Sequence, residues 1–142
     1  MIALILQKEV QDFINAHLYV DVQQLALKKN PFPDLDYKII LNQIVSKGKA
    51  KDKLPTWFSA DGIIYPEKIS IEQTSSEKTA AYKASIVSGD SLVDLTGGFG
   101  IDDYYFAKKI KKVFHCEIND ALSAVTQHNC EKLGVQNIAC FS

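Results

Sequence analysis

Arginine is absent from this chain: all 16 basic residues are lysine. Any phosphate contact must therefore use lysine, hydroxyl or backbone N–H groups, since no planar guanidinium fork is available. A strong charge of either sign is missing too. The net charge of −1 and the pI near 6.3 exclude a global pull toward nucleic acid or an anionic membrane. Cysteine is scarce, and Cys116, Cys130 and Cys140 form an odd set without metal-ligand spacing. They read as reduced, mostly packed thiols of a cytoplasmic protein. His17, His115 and His128 are scattered and read as packed or surface side chains rather than ligands. No long hydrophobic run occurs. The apolar opening, Met1 to Leu6, is short, follows no basic region and carries no cleavage pattern, so it is neither a signal peptide nor a membrane span.

What is present is an ordinary globular composition, 46% hydrophobic and 23% charged, long enough for one domain or a small domain plus part of another. The first third reads as helical. Leu6, Val10, Phe13, Ile14 and His17 fall on one helical face. Asp21 is placed to cap a short helix with Val22, Leu25 and Ala26 inward. Asn30-Pro31-Phe32-Pro33-Asp34 breaks the chain, and a third helix follows with Tyr37, Ile40, Leu41 and Ile44 on one stripe. The run from Lys47 to Lys53 holds four lysines. Its plain reading is a solvated linker or helix end; the alternative is an RNA-phosphate contact that weakens with salt. Trp57 beside Phe58 either plugs a core or stacks a base. Residues 62–71 look extended, with one proline turn. Thr74-Ser75-Ser76-Glu77 forms a capping-box pattern for a helix over about 75–87, with Thr74 as the cap.

The last third changes rhythm. Residues 91–95 are a short apolar strand ending in glycines, 101–111 a helix with a lysine-rich end, and 113–117 a second strand. Asp120 is expected to cap a helix that Gly134 stops, and 137–141 form a third strand. Strand–helix–strand–helix–strand is the pattern of a doubly wound parallel sheet. The expected fold is thus α/β: a helical N-terminal region over 1–60, then the first half of a Rossmann-like sheet over 61–142.

The chemistry lies in Val93-Asp94-Leu95-Thr96-Gly97-Gly98-Phe99-Gly100-Ile101-Asp102. A strand that ends in glycines and turns straight into a helix brings bare N–H groups to an open crevice. Asp94 is placed at the strand's end to accept a hydrogen bond or balance a cation. Nineteen residues after Gly98, Glu117 stands at the tip of the next strand, where a carboxylate can accept both hydroxyls of a ribose. The two features together are specific; either alone is weak. A dinucleotide fingerprint needs a third glycine where Asp103 stands. A carboxylate there opposes a pyrophosphate and hinders close helix–strand packing, which disfavours NAD, and no Gly-Lys-Ser/Thr marks a P-loop. A phosphate-free ligand carrying a sulfonium and an amino group suits Asp94 and Asp102. That ligand is S-adenosylmethionine (SAM).

The 94–102 segment resembles motif I of class I SAM-dependent methyltransferases, especially RNA methyltransferases whose loop begins Asp-x-Thr-x-Gly-x-Gly-x-Asp. Cys116-Glu117-Ile118-Asn119 is similar to their acidic second motif. Residues 71–83 look like the segment before motif I in a bacterial group assigned as RNA methyltransferases, in which a small helical region precedes the Rossmann domain. The resemblance covers most of the chain, most strongly 69–134. It implies that Asp94 faces the methionine end of SAM and that Thr96, Gly97, Gly98, Phe99 and Gly100 line the loop. It further implies that Ile101 and Asp102 sit beside the methionine moiety, and that Glu117 binds the ribose with Ile118 against the adenine. Gln73, Thr79 and Tyr82 would close the pocket from the preceding helix. Thr96 departs from the pattern, standing where many methyltransferases have the loop's first glycine.

The chain stops as the third strand finishes, before the region that carries substrate-side residues in such folds, so no catalytic residue is named. The expectation is an N-terminal piece of an RNA methyltransferase, inactive alone, that shields an exposed third-strand edge by self-association. The competing reading is a non-catalytic RNA- or protein-binding module working through the helical region and its lysines.

Overall fold

Side-chain caps set four of the nine helix starts. The computed structural model describes residues 1–142. The first expected helix is two, α1 (Ile2–Ile5) and α2 (Lys8–Ala16), because Leu6 lies in the turn between them; Ile5, Val10 and Ile14 are buried. Asp21 caps α3 (Val22–Ala26) as expected, its carboxylate accepting from the Gln23 and Gln24 amides at 2.9 and 3.4 Å. Asp36 caps α4 (Tyr37–Lys53), so the lysine run is the end of a long helix rather than a linker. Pro55 occupies the first turn of α5 (Pro55–Ser59), a position with no amide bond to lose. Trp57 is buried edge-on against Tyr104 at 4.8 Å between ring centroids, which removes it as a base-stacking platform.

The sequence expectation fails at 62–71. Only the stretch around Ile63 to Pro66 lacks regular structure; α6 (Lys68–Gln73) follows. The irregular stretch has no strand partner. Two side-chain amides take that place. Gln43 of α4 donates to the Tyr65 carbonyl (2.6 Å) and accepts from the Tyr65 amide (2.9 Å). Across the chain, a side chain 65 positions away, Asn129, donates to the Ile64 carbonyl (2.8 Å) and accepts from the Ile64 amide (2.9 Å). All four backbone groups would otherwise be buried without partners. Asn129→Ala is therefore expected to destabilise the chain by about 2–4 kcal/mol, since it orphans one donor and one acceptor and opens a small void. Urea denaturation checks this. Lys53 completes the turn by donating to the last carbonyls of α6, Ile71 and Glu72, both at 2.9 Å.

Helix α7 (Glu77–Ser85) starts two residues later than the capping-box pattern implies. Ser76, not Thr74, caps it, accepting from the Thr79 amide at 3.1 Å. Glu77 does not reach back to the cap. It accepts from the Thr56 amide (2.7 Å), the Thr56 hydroxyl (2.9 Å) and the Tyr105 hydroxyl (2.9 Å), tying α5 and α7 to the next helix.

Beyond it the expected alternation is present: β1 (Ser91–Asp94), α8 (Ile101–Ala107), β2 (Lys112–Cys116), α9 (Asp120–Lys132) and β3 (Ile138–Phe141). Asn119, rather than Asp120, caps α9, accepting from the Leu122 amide at 3.0 Å. The strands form one parallel sheet in the order β1-β2-β3, the three-stranded part of a Rossmann-like arrangement. One cluster of 18 buried residues runs from Ile5, Ile40 and Trp57 through Tyr65 and Ile71 to Phe99, Ile101 and Val125. The helical region and the layer under the glycine loop thus share a core. No helix is long and apolar enough to cross a membrane.

Candidate cofactor site

The site is built where β1 and β2 end side by side. Asp94 closes β1, and its carboxylate accepts from the Thr96 amide at 2.9 Å, turning the chain. The Gly97 amide then donates to the Cys116 carbonyl at 2.9 Å, extending the pairing with β2 by one bond. Gly98 and Gly100 take positive φ, 54° and 80°, a region that L side chains enter only at a cost. From beneath, the Gly98 carbonyl accepts from His115 Nε2 and from the Thr126 hydroxyl, both at 2.9 Å. A carbonyl can only accept, so Nε2 carries the imidazole proton.

The three glycines differ in what they leave room for. A Cβ at Gly97 would lie 2.2 Å from the His115 ring, and one at Gly100 would lie 2.5 Å from Thr126 Cγ2. These two glycines admit the supports of the loop. At Gly98 the nearest atom to such a Cβ is 3.8 Å away, the loop's own Thr96 carbonyl. Only Gly98 presents an unobstructed backbone face.

Glu117 stands opposite that face. Its Oε2 accepts from the Gly98 amide at 3.1 Å and its Oε1 from the Asn119 amide at 2.8 Å. The structure therefore brings the glycine bend and the strand-tip carboxylate into direct hydrogen-bond contact, with the carboxylate held by two backbone donors. Thr96 is exposed, and Ile118 is 97% exposed beside Glu117. Phe99 and Ile101 are both buried in the core, beneath the loop. The alternation of a tight turn points them inward, where they seal the loop's underside.

Asp102 is half-buried and paired. Its Oδ2 meets Lys83 Nζ at 2.9 Å, and the same ammonium donates to the Ser75 hydroxyl at 2.9 Å. The residue of α7 that reaches the loop is thus Lys83. Gln73, Thr79 and Tyr82 lie exposed instead, with the Thr79 hydroxyl bonded to Ser76 at 3.0 Å. The lysines of α4 are similarly engaged with their own neighbourhood. Lys47 donates to Asn15 (2.7 Å), Lys49 pairs with Glu72 (2.8 Å) and Lys51 lies over the Tyr19 ring. They form no continuous basic track.

Lys83 and Thr126 take roles that no motif announces, while Asp103 figures in the sequence only as an obstacle to NAD and His115 only as a packed or surface side chain. The spacing of His115, two residues before the strand-tip glutamate, was the one visible signal. The chain has four buried side-chain polar atoms without a partner, and all belong to Asp102, Asp103 and His115. Such orphans are rare, and their concentration around the loop marks it as the place where polar satisfaction is incomplete. Asp103 is fully buried; burial, then the Asp94 carboxylate, pushes its pKa up to about 9. A carboxyl raised from 3.8 to about 9 binds more protons in the folded state, so its contribution to stability declines as pH rises through that window. Asp103→Asn, already neutral, is expected to flatten the decline and to raise the melting temperature at alkaline pH. Thermal melts of both proteins across the window check this; parallel curves would contradict it.

Beside the loop after β2 lies a cleft of about 760 Å³ between α4, residues 64–70 and the start of α9. Lys38, Asn42, Tyr65, Lys68, Asn119 and Leu122 are among its lining residues.

A three-stranded parallel sheet with a glycine bend at one strand tip and an acidic residue at the next is part of a Rossmann-like fold. Among solved structures, the chain is similar to a protein from Porphyromonas gingivalis W83 assigned as a methyltransferase. The two share 25% sequence identity and a TM-score of 0.77, over 93% of this chain and 34% of that one. The chain thus spans about a third of that protein's length. No protein-family model matches the chain, and no curated protein does.

Proposed function

We infer that this chain provides the cofactor half-site of a class I SAM-dependent methyltransferase that acts on RNA. One observation carries the reading: the 3.1 Å bond from the Gly98 amide to Glu117, which joins an unobstructed peptide face to a fixed carboxylate. The residues fit an adenosyl ligand. Each Glu117 oxygen accepts one backbone amide and keeps a lone pair for a ribose hydroxyl. Gly98 lets the ligand lie against the backbone, and Ile118 offers an apolar surface to the adenine. Asp94, at the strand's end and the one of the three acids here without a lysine partner or full burial, disfavours a phosphate and suits a sulfonium or an ammonium. When bound, the cofactor supplies a methyl group on a positively charged sulfur. The chain's own residues bind and orient it; the resemblance to RNA methyltransferases supports an RNA substrate, and the cleft next to Asn119, where Lys38 and Lys68 stand beside Glu67 and Glu72, is the path tested for it.

Titration calorimetry with S-adenosylhomocysteine tests this. The unaltered chain is expected to bind, and Gly98→Arg, which fills the open face, to lower affinity at least about a hundredfold, or roughly 2.7 kcal/mol. Absence of binding to the unaltered, folded chain, or equal binding by both proteins, contradicts the reading. RNA binding that Lys38→Glu with Lys68→Glu leaves unchanged removes the cleft from the substrate path.

A further inference from the structure

The amino-acid end of the inferred cofactor carries a carboxylate, and a chain without arginine must meet it with lysine, hydroxyl or backbone groups. One lysine is bonded to the glycine segment. Lys83, in the last turn of α7, donates to Asp102 Oδ2 and to the Ser75 hydroxyl, both at 2.9 Å. Its side chain is still 43% exposed. An ammonium has three donors, so one is left for a ligand. The other lysines stand elsewhere. Lys109 and Lys111 bond to Ser85 and Asp90, ahead of β1 and away from its tip, while Lys38 and Lys68 line the cleft next to Asn119. Nor is the pair needed to hold α7 against α8. Ala80 and Ala84 are buried there, and Glu77 already accepts from the Tyr105 hydroxyl at 2.9 Å. Half-exposed ion pairs add little stability. What this one does is fix a long side chain. Two acceptors, one ahead of α7 and one just past the bend, hold Nζ in a set position, and a cation set in advance loses less freedom when it binds an anion.

We propose that Lys83 receives the carboxylate of the cofactor's amino-acid end, with Ser75 and Asp102 as positioning residues that hold its ammonium. The inference rests on the cofactor reading above. The charges are laid out to match a zwitterion. Asp94, half-buried at the tip of β1 and without a lysine, precedes the bend; Lys83 is held at the residue that follows it. An amino acid carries an ammonium and a carboxylate on one carbon, and each finds the opposite charge at one end of the bend. A ligand with the amine alone leaves Lys83 unanswered. Sites built to bond a polar group reject analogues that lack it, so Lys83 is a specificity device for the intact amino-acid end. Asp102 depends on the same contact. Its Oδ1 is buried without a partner, and Lys83 is the only group that answers its charge.

Titration calorimetry of the full chain compares S-adenosylhomocysteine with its decarboxylated form, which keeps the adenosine, the sulfur and the amine. The unaltered chain is expected to prefer the intact ligand at least about tenfold. Lys83→Met is expected to abolish that preference by weakening the intact ligand alone, and Lys83→Arg, which keeps the charge, to restore most of it. Because Lys83→Met strips Asp102 of its partner, the substitution is also made together with Asp102→Asn, and an unchanged circular dichroism spectrum shows that a variant folds. A lysine that served only the fold would weaken both ligands alike. That result, a preference that survives Lys83→Met, or equal affinity of the unaltered chain for the two ligands overturns the proposal and leaves the cofactor reading standing. Binding of neither ligand to the unaltered chain overturns both.

Discussion

Replacing Gly97 by alanine is expected to cost about 3 kcal/mol or more and to lower the melting temperature by roughly 10 °C. The added Cβ would lie 2.2 Å from His115 Cδ2 and 2.4 Å from its Nε2. That ring cannot give way. It is fully buried, and its Nε2 holds the Gly98 carbonyl at 2.9 Å. Relief must come from moving the loop, which breaks the bond to Gly98 and the Gly97–Cys116 pairing together. Gly98→Ala is the informative contrast. Its Cβ meets nothing within 3.8 Å, and the cost is the left-handed φ alone, about 1–2 kcal/mol. Chemical denaturation of the pair separates a glycine that serves packing from one that leaves a face open. Equal losses would show that loop support, as described, is wrong.

Glu117→Ala is expected to act the other way, sparing the fold and removing the ligand. The two amides it frees, Gly98 and Asn119, stand at a crevice that water reaches, so the stability loss stays near 1 kcal/mol. Affinity for S-adenosylhomocysteine is expected to fall at least about a hundredfold, because a bidentate acceptor of two hydroxyls disappears and the bend loses its anchor. Calorimetry alongside a thermal melt measures both. A large drop in melting temperature with affinity retained would make Glu117 a structural residue only.

The parts of this arrangement that could be read from the sequence are the local ones. The alternation of strands and helices after residue 90, the glycine bend and the strand-tip acid depend on spacing within about twenty residues, and periodicity records such spacing. Longer reach defeats it. Nothing near Ile64 announces that Asn129 will supply its hydrogen-bond partners, so the apolar segment with its proline reads as extended throughout 62–71. Glu77 fits a capping box on paper. Three donors on α5 and α8 outbid the local bond. Phe99 and Ile101 belong to the loop's sequence motif, yet a tight turn must bury some of its side chains, and the shared core claims these two. His115 and Thr126 hold Gly98 from beneath, across 17 and 28 positions, through inward-pointing side chains that the loop's motif does not include.

An amide-resolved NMR titration with S-adenosylhomocysteine puts the crevice itself to the test. The largest shifts are expected at Gly98, Gly100, Glu117 and Ile118, saturating together at one affinity. Shifts confined to residues of the α4–α9 cleft, or a spectrum unmoved at saturating ligand, would contradict the account.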